Sequence, residues 1–181
     1  MIIRQSKNAI RVVALASGLA WIGMSAQAAQ SSTASANASA TIVSPIAIAK
    51  TTDLGFGKLA VGAVGGNVAI STSDVVTISG VGTTVSQPAG NTGNPAAAAF
   101  AVTGEAGMTY AITLPADGAV SISDGASHTM VVNGFVSNPG TTGTLSGAGT
   151  DTLKVGATLV VGNNQVAGTY TGSFGVTVAY N

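Results

Sequence analysis

The sequence predicts an all-β domain, a sandwich or a barrel, set behind an export leader. Three observations carry that prediction. Apolar and polar residues alternate with a period of two through most of residues 29–181, turn-forming Gly, Asn, Asp and Pro recur between the alternating runs, and no window there sets apolar side chains at i, i+3, i+4 and i+7. A period of two sends one side-chain set to a core face and the other to water. Short strands with turns about every 8–12 residues are the pattern of sandwiches and barrels.

Composition narrows the function classes. Of 181 residues, 46% are hydrophobic, 7% charged and 4% aromatic, with no cysteine. Disordered chains show the opposite balance, few apolar residues and high net charge. Without cysteine there is no disulfide framework, thiolate nucleophile or thiolate metal site. Arg4, Lys7 and Arg11 lie at the extreme N-terminus, so the rest of the chain carries three lysines against six acids, a net charge of −3. Nucleic acid and anionic lipid need clustered Lys and Arg, so neither is an expected partner.

The first segment reads as a signal peptide over residues 1–28. Its basic n-region precedes Val12–Met24, an apolar run shorter than the ~20 residues that span a bilayer. Ser25-Ala26-Gln27-Ala28 supplies small residues at −3 and −1, and cleavage after Ala28 leaves 153 residues. An uncleaved N-terminal anchor is the competing reading. No later run reaches membrane length, so no transmembrane helix is expected, and Trp21 leaves with the leader.

Residues 29–40 form a flexible extension of Ala, Ser, Thr and Asn. If extended, it places Ala34, Ala36, Ala38, Ala40 and Ile42 on one face. The domain proper is expected over residues 41–181. Gly62–Gly66 and Gln87–Pro95 read as surface loops. Tyr110, Ile112 and Leu114 alternate with Thr109, Ala111 and Thr113, and Val120 and Ile122 with Ser121 and Ser123. Asp117-Gly118 between these runs predicts a hairpin, since both positions tolerate φ > 0. Asn133-Gly134, inside the apolar run Met130–Val136, is a tight turn or a bulge. Asn138-Pro139-Gly140 and Gly162-Asn163-Asn164 are further turns. The chain closes on a long alternating strand from Gly168, with Phe174, Val176, Val178 and Tyr180 on one face.

The search for chemistry yields no catalytic, cofactor or metal site. His128, the one histidine, stands beside a turn, and no serine has glycines at −2 and +2 as a nucleophile elbow requires. A hydrolase using His128 is the minor hypothesis. Glu105 is the only glutamate, and Asp74, Asp117 and Asp124 read as turn formers that accept bonds from nearby backbone N–H groups. The D-x-D-x-D-G spacing of a calcium loop is missing. Gly55-Phe56-Gly57-Lys58-Leu59-Ala60 matches a loose dinucleotide loop but lacks the helix that would hold the pyrophosphate. Asn37-Ala38-Ser39 is a glycosylation pattern that chance supplies in such segments. Phe56, Phe100, Tyr110, Phe135, Tyr170, Phe174 and Tyr180 are read as core residues. They are too sparse for the two girdles of a transmembrane barrel.

Gly168-Thr-Tyr170-Thr-Gly172-Ser-Phe174-Gly-Val176-Thr-Val178-Ala-Tyr180-Asn181 resembles the C-terminal strand of chaperone–usher pilin subunits, with a glycine fourteen from the end and a penultimate aromatic residue. The same ending is similar to that of spore-coat-protein-U-like domains. A resemblance over nearly the whole body is to a family of secreted Gram-negative surface proteins catalogued as a domain of unknown function. It is carried by Ala40–Ile48, Leu54-Gly-Phe56-Gly57-Lys58, Phe100-Ala-Val102-Thr-Gly104-Glu105, Thr109–Pro115, Asp151–Leu159 and the final strand.

These resemblances imply an immunoglobulin-like antiparallel β-sandwich and no catalytic residues. The pilin resemblance implies further a sandwich lacking one strand, whose groove a neighbouring subunit's extension fills after a periplasmic chaperone has covered it. Gly168, Phe174, Val176, Val178 and Tyr180 would border that groove, with Ala34, Ala36, Ala38, Ala40 and Ile42 as the donor face. The chain departs from pilins in having no cysteine and an alanine-rich donor. The expected function is a non-enzymatic, pilin-like structural protein of the periplasm, cell surface or exterior, forming a homopolymer and using no cofactor. The alternative is a self-contained binding module or adhesin that uses residues 87–95.

Overall fold

The computed structural model describes residues 30–90 and 93–181. The signal peptide assigned to residues 1–28, together with Ala29 and the Asn91-Thr92 part of loop 87–95, lies outside the described residues. The chain divides into two units, Met1–Ala40 and Thr41–Asn181. In the first, residues 30–40 are exposed and form no regular structure.

The second unit is an all-β sandwich, with no helix among the described residues. Its strands are β1 (Ala47–Thr52), β2 (Gly66–Ile70), β3 (Val76–Ser79), β4 (Ala98–Thr103), β5 (Thr109–Thr113), β6 (Val120–Ser123), β7 (Thr129–Asn138), β8 (Thr142–Thr144), β9 (Thr150–Val161) and β10 (Thr177–Tyr180). Seven of them form a large sheet around β9, and β10-β5-β8 form a small one, all pairs antiparallel.

Twelve-residue β9 organises the large sheet. Along one edge it pairs with β7, which carries β6. Along the other, β4 and β2 follow one another end to end, Ala98 opposite Val155 and Ile70 opposite Ala157. Gly156 sits at their junction, where a Cβ would run into the Ile70 carbonyl, so the two strands abut only because that side chain is absent. β1 lies outside β4, and β3 outside β2.

The core has two clusters. Ala98, Val102, Tyr110, Ile112, Leu145, Leu153 and Val155 are buried between the large sheet and the small one. Val68, Val85, Val120, Met130, Val132, Ala157, Leu159 and Val161 form the other. The small sheet does not reach that second group. Irregular segments carrying Leu54, Phe56, Leu59, Val61, Tyr170 and Phe174 pack against it instead.

Asn133-Gly134 is a bulge. The β7–β9 register shifts between Asn133 and Val136, and Gly134 has φ +58°, a conformation that suits glycine. The Asp117-Gly118 expectation is corrected in part. The turn exists, but β5 belongs to the small sheet and β6 to the large one, so it crosses between sheets and closes no hairpin. Its chemistry is spent on the bulge: Gly134 N–H donates to Asp117 Oδ1 and Gly118 N–H to Asn133 Oδ1, each at 2.7 Å.

The long final strand is also corrected. Alternation continues from Phe174 to Tyr180, but only Thr177–Tyr180 is laddered, and residues 172–176 form no backbone–backbone hydrogen bond among the described residues. A period of two reports where side chains point, and an unpaired extended segment shows it as well as a paired strand does.

Candidate functional site

The place where the small sheet falls short is an apolar cleft of about 1190 Å³. Its floor is the inner face of the large sheet, including Ala98, Phe100, Val120, Ile122, Met130 and Leu159. One wall is residues 53–61, which leave β1 and touch the rest of the domain through the bridges Gly55–Ala96 and Ala60–Ser86. The other is residues 165–174, which approach β10 and are held to the large sheet by the bridge Ser123–Thr171. Neither wall is laddered; among the described residues the backbone of each is paired through isolated bridges alone. Lys50, Asp53 and Lys58 bring charge to the cleft, with Lys50 Nζ 2.5 Å from Asp53 Oδ1, and Gln165, Thr169, Thr171 and Ser173 add polar groups along the other wall.

Of the C-terminal residues singled out in the sequence, Gly168 and Phe174 line the cleft. Phe174 packs against both core clusters, with its ring 5.1 Å from Phe135 and 6.5 Å, edge-on, from Phe100. Such tilted and edge-on pairs are the favoured aromatic geometries. Val176, Val178 and Tyr180 pack on the cluster beneath the small sheet. Gly168 lies on the cleft wall, where an added Cβ would sit 3.4 Å from Cβ of Asp124.

Tyr180 also ties the end of the chain to its beginning. Its hydroxyl donates to the Ser44 carbonyl at 2.8 Å and accepts from Glu105 N–H at 2.6 Å, while Ser44 N–H donates to Glu105 Oε2 at 2.9 Å. The sole glutamate is thus a clasp where residues 41–43 leave the domain. Next to that clasp Ile42 is 97% exposed, and Ala34, Ala36, Ala38 and Ala40 are exposed too.

His128 is not an isolated loop histidine. Its Nδ1 lies 2.6 Å from Asp124 Oδ2, and Asp124 Oδ1 accepts from Ala126 N–H at 2.9 Å. The bond from His128, helped by the Ala126 N–H, holds the Asp124 carboxyl below its usual range. Among the described residues no hydroxyl bonds His128 Nε2, so the pair braces the β6–β7 turn beside the Ser123–Thr171 bridge. Asp74, at φ +63°, reaches beyond its own turn, accepting from Ala97 N–H at 2.8 Å and Lys154 Nζ at 2.7 Å. The Lys154 bond lowers its pKa. Tyr110 is fully buried with its hydroxyl 2.8 Å from Asp151 Oδ2, and burial, reinforced by that carboxylate, drives the phenol pKa well up.

Among the described residues no three or more His, Asp or Glu gather as a metal site, and no helix is long and apolar enough to cross a membrane. With this geometry in view, comparison with known proteins adds one result. The family model described as "Domain of unknown function (DUF4402)" matches residues 46–180. The chain belongs to this family. The DUF4402 match begins two residues beyond Ser44, so it takes in the ladder strands and both cleft walls but not the segment 34–42. No curated protein and no solved structure matches the chain.

Residues 53–61 carry a family resemblance at Leu54–Lys58 and a core residue at Phe56, but no motif in the sequence marks them as the wall of a cleft. The signal that could have found it is the set Leu54, Phe56, Leu59 and Val61, apolar side chains in a glycine-broken stretch too irregular for a strand.

Proposed function

We propose that this DUF4402 chain is an exported, non-enzymatic structural protein of the cell surface, a pilin-like subunit that polymerises by β-strand donation. Residues 34–42 of one copy would enter the cleft of the next. The observation that supports this best is the cleft itself: an apolar trough between two walls, over a core cluster that no strand of the small sheet covers. The chain also carries a segment suited to it. Residues 34–42 hold no charge, alternate small apolar with polar residues, and are exposed. Strand addition combines main-chain hydrogen bonds with alternate side chains in pockets, and both halves of that arrangement have counterparts here. A periplasmic chaperone would cover the cleft before assembly, because an open apolar edge pairs indiscriminately. The C-terminal resemblance to pilins and spore-coat-protein-U-like domains supports the same reading.

Alanine buries little area at ~25 cal/mol per Å², so the linkage is expected to be weaker than one anchored by Val, Ile or Phe. Electron microscopy of sheared surface material, labelled with antibody to this chain, tests the reading. Labelled fibres or surface assemblies support it. A stable, monodisperse monomer from a chain lacking residues 29–43, with no assembly in the full-length protein, contradicts it.

A further inference from the structure

The register of the final strand fixes which backbone groups face its free edge. In β10–β5, Thr177 opposes Thr113 and Ala179 opposes Ala111. Asn181 N–H donates to the Thr109 carbonyl, while Ile112 N–H donates the other way, to Thr141 beside β8. Residues 177, 179 and 181 therefore spend their backbone groups on β5. Thr171 likewise exchanges both of its bonds with Ser123. A strand turns successive residues to opposite sides. The remaining row, Gly172, Phe174, Val176, Val178 and Tyr180, thus presents its N–H and C=O groups along the open edge while its side chains face the core. This row spans nine residues, as does the segment Ala34–Ile42.

We propose, resting on the strand-donation reading, that the occupant is Ala34–Ile42 of a second copy, antiparallel to β10, with Ile42 opposite Gly172, Ala40 opposite Phe174, Ala38 opposite Val176, Ala36 opposite Val178 and Ala34 opposite Tyr180. Two observations select this polarity. The first is size: the donor's one large side chain falls beside the one glycine of the row, and its alanines fall beside the large residues. A Cβ at Gly172 would clash with the Ser121 carbonyl and Ile122, so that position stays small, and Val120 and Ile122 line the cleft beside it. A parallel alignment puts Ile42 level with Tyr180 and leaves Ala34 level with Gly172, large on large and small on small.

The second observation is the exit. Ser44 of the receiving copy is fastened to Tyr180 and Glu105, so its own chain leaves at the Tyr180 end. A parallel donor would bring its Ser44 and its whole domain to that same place. An antiparallel donor enters from the Gly172 end, with its domain clear of the clasp. Each copy then gives at one end and receives at the other, a head-to-tail contact that does not close on itself.

The native chain contains no cysteine, so engineered pairs report the geometry without background. Residues 35, 41, 173 and 179 are all exposed, and in the proposed register 35 and 41 lie opposite 179 and 173. Opposed antiparallel residues of the pair type without mutual hydrogen bonds lie about 4.5 Å apart at Cα, within disulfide reach. Four full-length double variants are oxidised and run on non-reducing gels, with circular dichroism confirming that each folds. The proposal expects covalent multimers from S35C/A179C and T41C/S173C. Multimers from S35C/S173C and T41C/A179C instead would overturn the polarity while leaving strand donation standing. A bond confined to the monomer would overturn the second copy as occupant. Four folded variants that form no bond would sink strand donation and this register together.

Discussion

The two core clusters share one large sheet and differ in what closes them. Over Leu153, Val155 and Val102 the small sheet lays down β5 and β10, and Leu153 and Val155 reach 0% exposure. Over Leu159, Met130 and Val132 the described residues lay down no second layer of strand, only the walls 53–61 and 165–174 with a trough between them. On the strand-donation proposal, this difference separates two tasks: the closed half supplies stability within the chain, and the open half would be where a partner completes a layer.

Leu153→Ala should have the largest effect on the isolated protein, a loss of about 2–5 kcal/mol, since a fully buried leucine leaves a cavity that β4 and β9 cannot collapse into. Denaturant unfolding measures it. Phe174→Ala, on the open side, should cost the single chain less, about 1–3 kcal/mol, because its ring is only half-buried there. It should nevertheless weaken assembly more than Leu153→Ala does at matched stability. Equal effects of the two on assembly would erase the distinction between the halves.

Tyr110→Phe removes the donor to Asp151 in the closed half and is expected to cost about 1–2 kcal/mol by thermal or denaturant melts. Tyr180→Phe loses bonds to Ser44 and Glu105 at the domain's margin and should cost about 1 kcal/mol. Its clearer sign would be faster proteolysis of residues 41–46.

The smallest effect is on the acid limb. Asp124 and Asp74 have depressed carboxyl pKa values in the folded chain, through His128 and Lys154 respectively. The unfolded chain therefore binds more protons in the interval just below the ordinary value of 3.8, and the stability these groups supply is lost as pH falls through their folded values. His128→Ala should flatten part of that loss, visible as a smaller drop in midpoint between pH 5 and pH 3. An unchanged drop would mean that the Asp124 contact adds nothing to the brace at the β6–β7 turn.

Much of this was legible in the chain. Alternation at 109–114, 120–123 and 174–180 gave side-chain direction correctly, because it follows directly from the pleat. It could not say which sheet a strand joins, so the Asp117-Gly118 turn looked like a hairpin although β5 and β6 part company. Nor could it separate laddered residues 177–180 from unpaired residues 172–176, which share one period. The clasp was invisible for a different reason: Ser44, Glu105 and Tyr180 are far apart in sequence, and none carries a local signal. The cleft is the product of such absences. Its walls are segments whose neighbours lie elsewhere, and no periodicity marks a missing strand; only the C-terminal resemblance to pilins implied one.

The free edge of residues 172–180 is proposed to take an extended partner, and amide hydrogen exchange measures this most directly. In the chain alone, the amides of Phe174, Val176 and Val178 should exchange fast while those of Thr177 and Ala179, directed at β5, exchange slowly. Adding a peptide of residues 30–43 in excess should slow the first three and leave the last two nearly unchanged. Fast exchange at Phe174, Val176 and Val178 that persists at saturating peptide would contradict the account.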